Sequence, residues 1–205
     1  AAAFLLAFRA DSIVADAEHV RATLYGGRRW STLGQSYGGF LTLTYLSVAP
    51  HALERCLITG GLPALRPDAR ELYRRTYPRV AAKVGRFYAR YPGDVARIAA
   101  VADRLAAEPA TLPDGDRLGV RRLQTVGHVL GTQAGAEELH WLFEEALEDD
   151  GLSDTFLDQV ARRTSYWENP LYAALHESIY ASGPGPIGWA AEAGRDGQRL
   201  RARDV

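Results

Sequence analysis

Apolar residues recur at helical spacing through Ile13, Val14, Ala17, Val20 and Leu24, which predicts a helix. It is expected to start at Asp11 and Ser12, both good N-cap types, and to end at Gly26 and Gly27. A short extended run from Arg29 to Leu33 follows, carrying Trp30 and Leu33. From Gly38 the pattern turns helical again through Phe40, Leu41, Leu43, Thr44, Leu46 and Val48, until Pro50 stops it. A second apolar run, Cys56 to Thr59, is bounded by Gly60 and Gly61. Helix, strand, helix, strand implies a parallel sheet with the two helices on opposite faces. Two strands make only a slice of such a sheet, and each would carry an unpaired edge.

Beyond Pro63 the alternating strand pattern disappears. Helices are expected at Asp68 to Tyr77, Val80 to Tyr91, Gly93 to Ala107, Gly119 to Leu130, Ala136 to Leu147, Ser153 to Thr164 and Pro170 to Ala181. Ser153 is placed to cap its helix, and Pro170 suits a first helical position. Ser182 to Pro186 is a glycine-proline break, Trp189 to Ala193 allows one more turn, and the charged tail from Gly194 is expected to fray. The expected organisation is a partial α/β core over 1–63, an inserted all-helical cap over 64–182, and a return segment and tail over 183–205.

Composition narrows the class. The 205 residues hold 24 basic and 25 acidic side chains, a formal charge of −1, and 47% hydrophobic residues. That balance suits a globular chain and gives no field that would gather nucleic acid. Cys56 is the single cysteine, so no intrachain disulfide or multi-cysteine metal site can form, and a reducing cytoplasm is expected. Neither metal nor cofactor is expected. The apolar opening from Ala1 to Phe8 is too short to span a bilayer and lacks the basic start of a signal peptide. Methionine is absent, and Lys83 is the only lysine.

One motif carries chemistry. Gly34-Gln35-Ser36-Tyr37-Gly38, extended by Gly39, fits G-x-S-x-G between an expected strand and an expected helix, the context of a nucleophile elbow. A sharp turn would lift the Ser36 hydroxyl clear of the backbone. Side chains at Gly34 and Gly38 would collide where strand and helix pass. The Tyr37 N–H would meet a developing oxyanion at the start of the helix. A base is harder to find: His19 precedes the serine, His51 follows the second helix, and His128, His140 and His176 fall in the helical block, where surface or packing roles suit them better.

Phe8-Arg9-Ala10-Asp11-Ser12-Ile13-Val14, the run from Gly34 to Leu46, Leu57 to Pro63, Asn169 to Tyr172, Leu175-His176-Glu177 and Trp189 to Glu192 resemble the prolyl aminopeptidases, also called proline iminopeptidases, of the larger bacterial type. The resemblance implies an α/β-hydrolase fold with a helical cap, and release of N-terminal proline from peptides through an acyl-enzyme. It implies Ser36 as nucleophile, the Tyr37 N–H as half of the oxyanion hole, and a cap carboxylate for the substrate's free amine. Glu177 matches best, with Glu144, Glu145 and Glu168 behind it. The implied partner is a peptide with a free N-terminal proline, with neither nucleic acid nor membrane; homo-oligomerisation stays open. The family's oxyanion loop, acid and histidine have no counterpart here, so an internal fragment, inactive alone, is expected. The alternatives are another cap-bearing hydrolase, such as an esterase or tripeptidyl aminopeptidase, and a non-catalytic peptide-binding remnant.

Overall fold

A computed structural model describes residues 2–64, 68–181 and 185–197. The chain divides into two compact units, Ala1–Pro67 and Asp68–Val205. The part of the glycine-proline break at 182–184 and the tail beyond 197 lie outside the described residues.

The first unit runs α1 (Ala2–Leu6), α2 (Ala10–Tyr25), β1 (Trp30–Gln35), α3 (Tyr37–Val48), a 3-10 turn (Pro50–Ala52) and β2 (Leu53–Thr59). Helix α2 ends as expected, with Gly26 left-handed at φ 62°. Its start differs: Arg9 is the cap residue, because the Ser12 hydroxyl donates instead to Leu6 O at 3.1 Å and ties α1 to α2. The strands pair in parallel, Leu33 opposite Leu57 and Gln35 opposite Thr59.

Both helices serve the same side, not opposite faces. Val14 of α2 is buried with Tyr45, Ala49, Ala52 and Leu53, and Ala17, Trp30 and Cys56 pack against them. A polar chain fixes this arrangement: the Trp30 indole donates to the Tyr45 hydroxyl at 3.0 Å, and that hydroxyl donates to Glu18. The other face stays open among the described residues, with Leu33 74% and Leu57 52% exposed.

Glu18 also accepts two hydrogen bonds from Arg21, each 2.8 Å. The Arg21 hydrogen bond first, then that of Tyr45, holds the Glu18 carboxyl down to about 2 from 4.5. A carboxyl lowered in the folded state contributes stability above its ordinary value, and that contribution is lost as pH falls through the folded value. The urea midpoint is therefore expected to drop between pH 4.5 and 2. Glu18→Gln should be less stable at neutral pH and show a flatter slope across that window; an unchanged slope would contradict the assignment.

The second unit begins with α4 (Ala69–Arg90) and α5 (Asp94–Ala107). A small hairpin, β3 (Ala110–Thr111) with β4 (Arg117–Leu118), precedes α6 (Val120–Thr125), a 3-10 stretch (Val126–Gly131) and α7 (Gly135–Glu144). A second hairpin, β5 (Leu147–Glu148) with β6 (Gly151–Leu152), leads into α8 (Asp154–Thr164). Then come α9 (Pro170–Leu175), a 3-10 turn (Glu177–Tyr180) and α10 (Ala190–Gly197). Its core gathers Phe87, Ile98, Val101, Leu105, Leu123, Leu139, Phe143 and Phe156. The cap expected at Ser153 is present, its hydroxyl accepting from Phe156 N at 3.1 Å.

Three expectations need correction here. The unit is not all helical, because two-residue strands close two tight hairpins, and two residues are too few to show alternation. Asp68 to Tyr77 and Val80 to Tyr91 are one helix running through Pro78. An interior proline costs about 3 kcal/mol. The helix continues because each half is anchored separately: Tyr77 bonds Ala191 O at 2.6 Å, and Phe87 sits in the core. The turn at Trp189 extends into the eight residues of α10. Among the described residues no helix is long and apolar enough to cross a membrane.

Candidate active site

Ser36 sits between the last residue of β1 and the first of α3, with φ 52° and ψ −119°. Serine rarely adopts this conformation, and the surroundings over-determine it. The Ser36 N–H donates to Thr59 O at the end of β2 (3.0 Å), and Gly39 N–H donates to Ser36 O (2.9 Å). The turn is thus clamped by the neighbouring strand and by its own helix.

Glycines make the clamp fit. A Cβ on Gly34 would lie 2.1 Å from Gly38 O, one on Gly39 2.3 Å from Gly61 O, and one on Gly61 1.9 Å from Ser36 O. At Gly38 a Cβ would meet nothing within 4 Å, so the collision expected there does not occur. What matters at Gly38 is its carbonyl, which Gly34 must approach. Gly61 was legible only as a strand boundary; the Gly60-Gly61 pair was its signal.

Tyr37 opens α3, where the first N–H groups lack intrahelical acceptors. Its N–H donates to none of the described residues and is available to an anion. Burial pushes its phenol above the ordinary tyrosine value. Gln35 is the exposed last residue of β1.

The Ser36 hydroxyl bonds no histidine or carboxylate among the described residues. His140 stacks on Tyr91 (4.1 Å, 6°), with Nδ1 2.8 Å from Asp94 and Nε2 3.5 Å from Glu144. His128 Nδ1 lies 2.9 Å from Thr125 O, and His176 packs between Tyr172 and Tyr180. His140 and His176 lie against aromatic rings of the second unit, and His128 is exposed. Among the described residues no group of histidines, cysteines and carboxylates could hold a metal ion.

Glu177 is 4% exposed, so it is not a solvated helix residue. Its Oε1 accepts from Ala190 N (2.6 Å) and Oε2 from Ala191 N (3.0 Å), which caps α10. The Tyr73 phenol hydrogen-bonds the same carboxylate; burial first, then the Glu177 charge, raises that phenol well above its ordinary value. Of the weaker candidates, Glu144 is paired with Arg97 (3.3 Å), and Glu145 and Glu168 are exposed.

Over 189 residues, 92% of this chain, the sequence is 44% identical to the proline iminopeptidase of Aeromonas sobria. Over 194 residues, 90% of the chain, it is 30% identical to proline iminopeptidase aneH of Aspergillus aculeatus. The chain spans 44% and 43% of those two proteins, less than half of either. No family model matches the chain. The similarity supports the resemblance read from the sequence, and the helices with a parallel strand pair are consistent with a partial α/β-hydrolase fold.

Proposed function

We propose that this chain is the nucleophile-bearing portion, with the cap, of a serine aminopeptidase that releases N-terminal proline from peptides. The observation that carries this reading is Ser36 at φ 52° on a strand-to-helix turn, in a chain 44% identical over 189 residues to a proline iminopeptidase. The Ser36 hydroxyl attacks the prolyl carbonyl, and the oxyanion takes the Tyr37 N–H. The rest of the peptide leaves with a proton, and water hydrolyses the prolyl ester. Gly34, Gly39 and Gly61 hold the turn, and Gln35 and Gly38 complete it. The base that takes the serine proton, and the acid that orients it, come from residues other than these, so the isolated chain is inactive.

Glu177 supplies the negative charge for the substrate's free amine. It is buried, and of its four lone-pair sites Ala190 N, Ala191 N and the Tyr73 phenol occupy three, which leaves one for the amine. Its engagement with α10 favours one second reading, a cap-bearing hydrolase such as an esterase that needs no amine subsite. The single free cysteine, Cys56, supports a reducing, cytoplasmic setting.

Two assays separate these readings. A longer protein carrying this chain and the missing triad members is expected to cleave a prolyl chromogenic amide and to leave its acetyl-prolyl counterpart intact. Equal rates on both would remove amine recognition from Glu177 and favour the esterase-like reading. The 205 residues alone should give no turnover. Turnover abolished by Ser36→Ala would show that a local base exists.

A further inference from the structure

Among the described residues, two other than glycine have left-handed backbones: Ser36 and Trp189. The elbow accounts for the first. Trp189, at φ 52° and directly after Gly188 at φ 67°, has no part in it. For a bulky aromatic residue this conformation is costly and persists only where its surroundings impose it. Here they do. The next two N–H groups, of Ala190 and Ala191, are held by the buried Glu177 carboxylate. The Trp189 carbonyl accepts from Glu192 N at 3.1 Å, and Glu192 is ion-paired to Arg121 at 2.8 Å.

The strain gains the fold little burial. The Trp189 side chain is 59% exposed, and its indole N–H meets no acceptor among the described residues. Beside the ring lies an open surface groove of about 440 Å³ lined by Arg121, Trp189, Ala191 and Glu192. That volume falls within the range of small-ligand sites. Its chemistry is mixed: a flat π face, an indole donor, and an ion pair between Arg121 and Glu192. Such a lining suits neither a lone cation nor a lone anion. It suits a peptide group flanked by a compact apolar ring.

We propose that Trp189 is a specificity-determining residue that seats an uncharged peptide segment, with a proline or similarly compact apolar side chain against the indole face. This rests on the peptidase reading and names a second part of the substrate, separate from its amine. Binding is measured in the full chain carrying Ser36→Ala, which prevents turnover. The probes are Pro-Ala-Pro-Ala amide and its acetylated form, titrated calorimetrically against Trp189, Trp189→Phe and Trp189→Gly. Glycine tolerates φ 52°, so Trp189→Gly should keep or raise the melting temperature while weakening both peptides at least tenfold. Trp189→Phe should retain most of the affinity. Unchanged affinity in Trp189→Gly, no peptide binding with Trp189 intact, or a lowered melting temperature in Trp189→Gly would overturn the assignment. If the free and acetylated peptides bind equally while the Trp189→Gly loss persists, the amine role of Glu177 fails and that of Trp189 stands.

Discussion

Alanine at Gly61 or at Gly39 is expected to disrupt the elbow, and alanine at Gly38 to leave it intact. The Gly61 Cβ would fall 1.9 Å from Ser36 O, and the Gly39 Cβ 2.3 Å from Gly61 O. Real Cβ atoms do not approach backbone so closely, and a carbonyl cannot swing aside like a side-chain tip. Relief must come from moving the turn, at a cost of about 3 kcal/mol or more. Folding free energies are only about 5–15 kcal/mol, so either substitution removes a large share. Gly38 has open space and lies in α3, where alanine is the better helix former by about 1 kcal/mol. Urea midpoints of the three variants check this. Equal destabilisation at Gly38 and Gly61 would contradict the clamp.

The second large effect is at Ser36, where stability and activity should move in opposite directions. Ser36→Gly removes the hydroxyl and also the side chain that makes φ 52° unfavourable. It should stabilise the first unit by about 1 kcal/mol. In a longer protein that contains this chain, both Ser36→Gly and Ser36→Ala should lower kcat by about 10⁴-fold or more if Ser36 is the nucleophile. A lower urea midpoint for Ser36→Gly would mean the turn holds no strain there.

The elbow was legible because its signals are local. Strand, G-x-S-x-G and helix lie within one short stretch, and the physics of the turn is written in those residues. The Ser153 cap was legible for the same reason, since the N–H its hydroxyl accepts from belongs to Phe156, three residues on. What escaped depended on contacts between distant residues. Gly61 looks like a strand boundary until β2 returns beside β1 and brings its Cα under the Ser36 carbonyl. The side taken by α2 follows from the Glu18–Tyr45–Trp30 chain, which crosses three elements. Pro78 ends a helix by local rules, yet here anchors on either side carry the helix through it. Glu177 gives no sequence sign that its partners are the N–H groups of a helix that begins thirteen residues later.

The most direct test is to trap the acyl-enzyme. A longer protein containing this chain would be mixed with a prolyl ester, quenched in acid and digested, and the adduct located by mass spectrometry. If Ser36 is the nucleophile, a prolyl group is found on the peptide containing Ser36 and is absent from Ser36→Ala. A prolyl adduct on another residue, or ester turnover that survives Ser36→Ala, would contradict it.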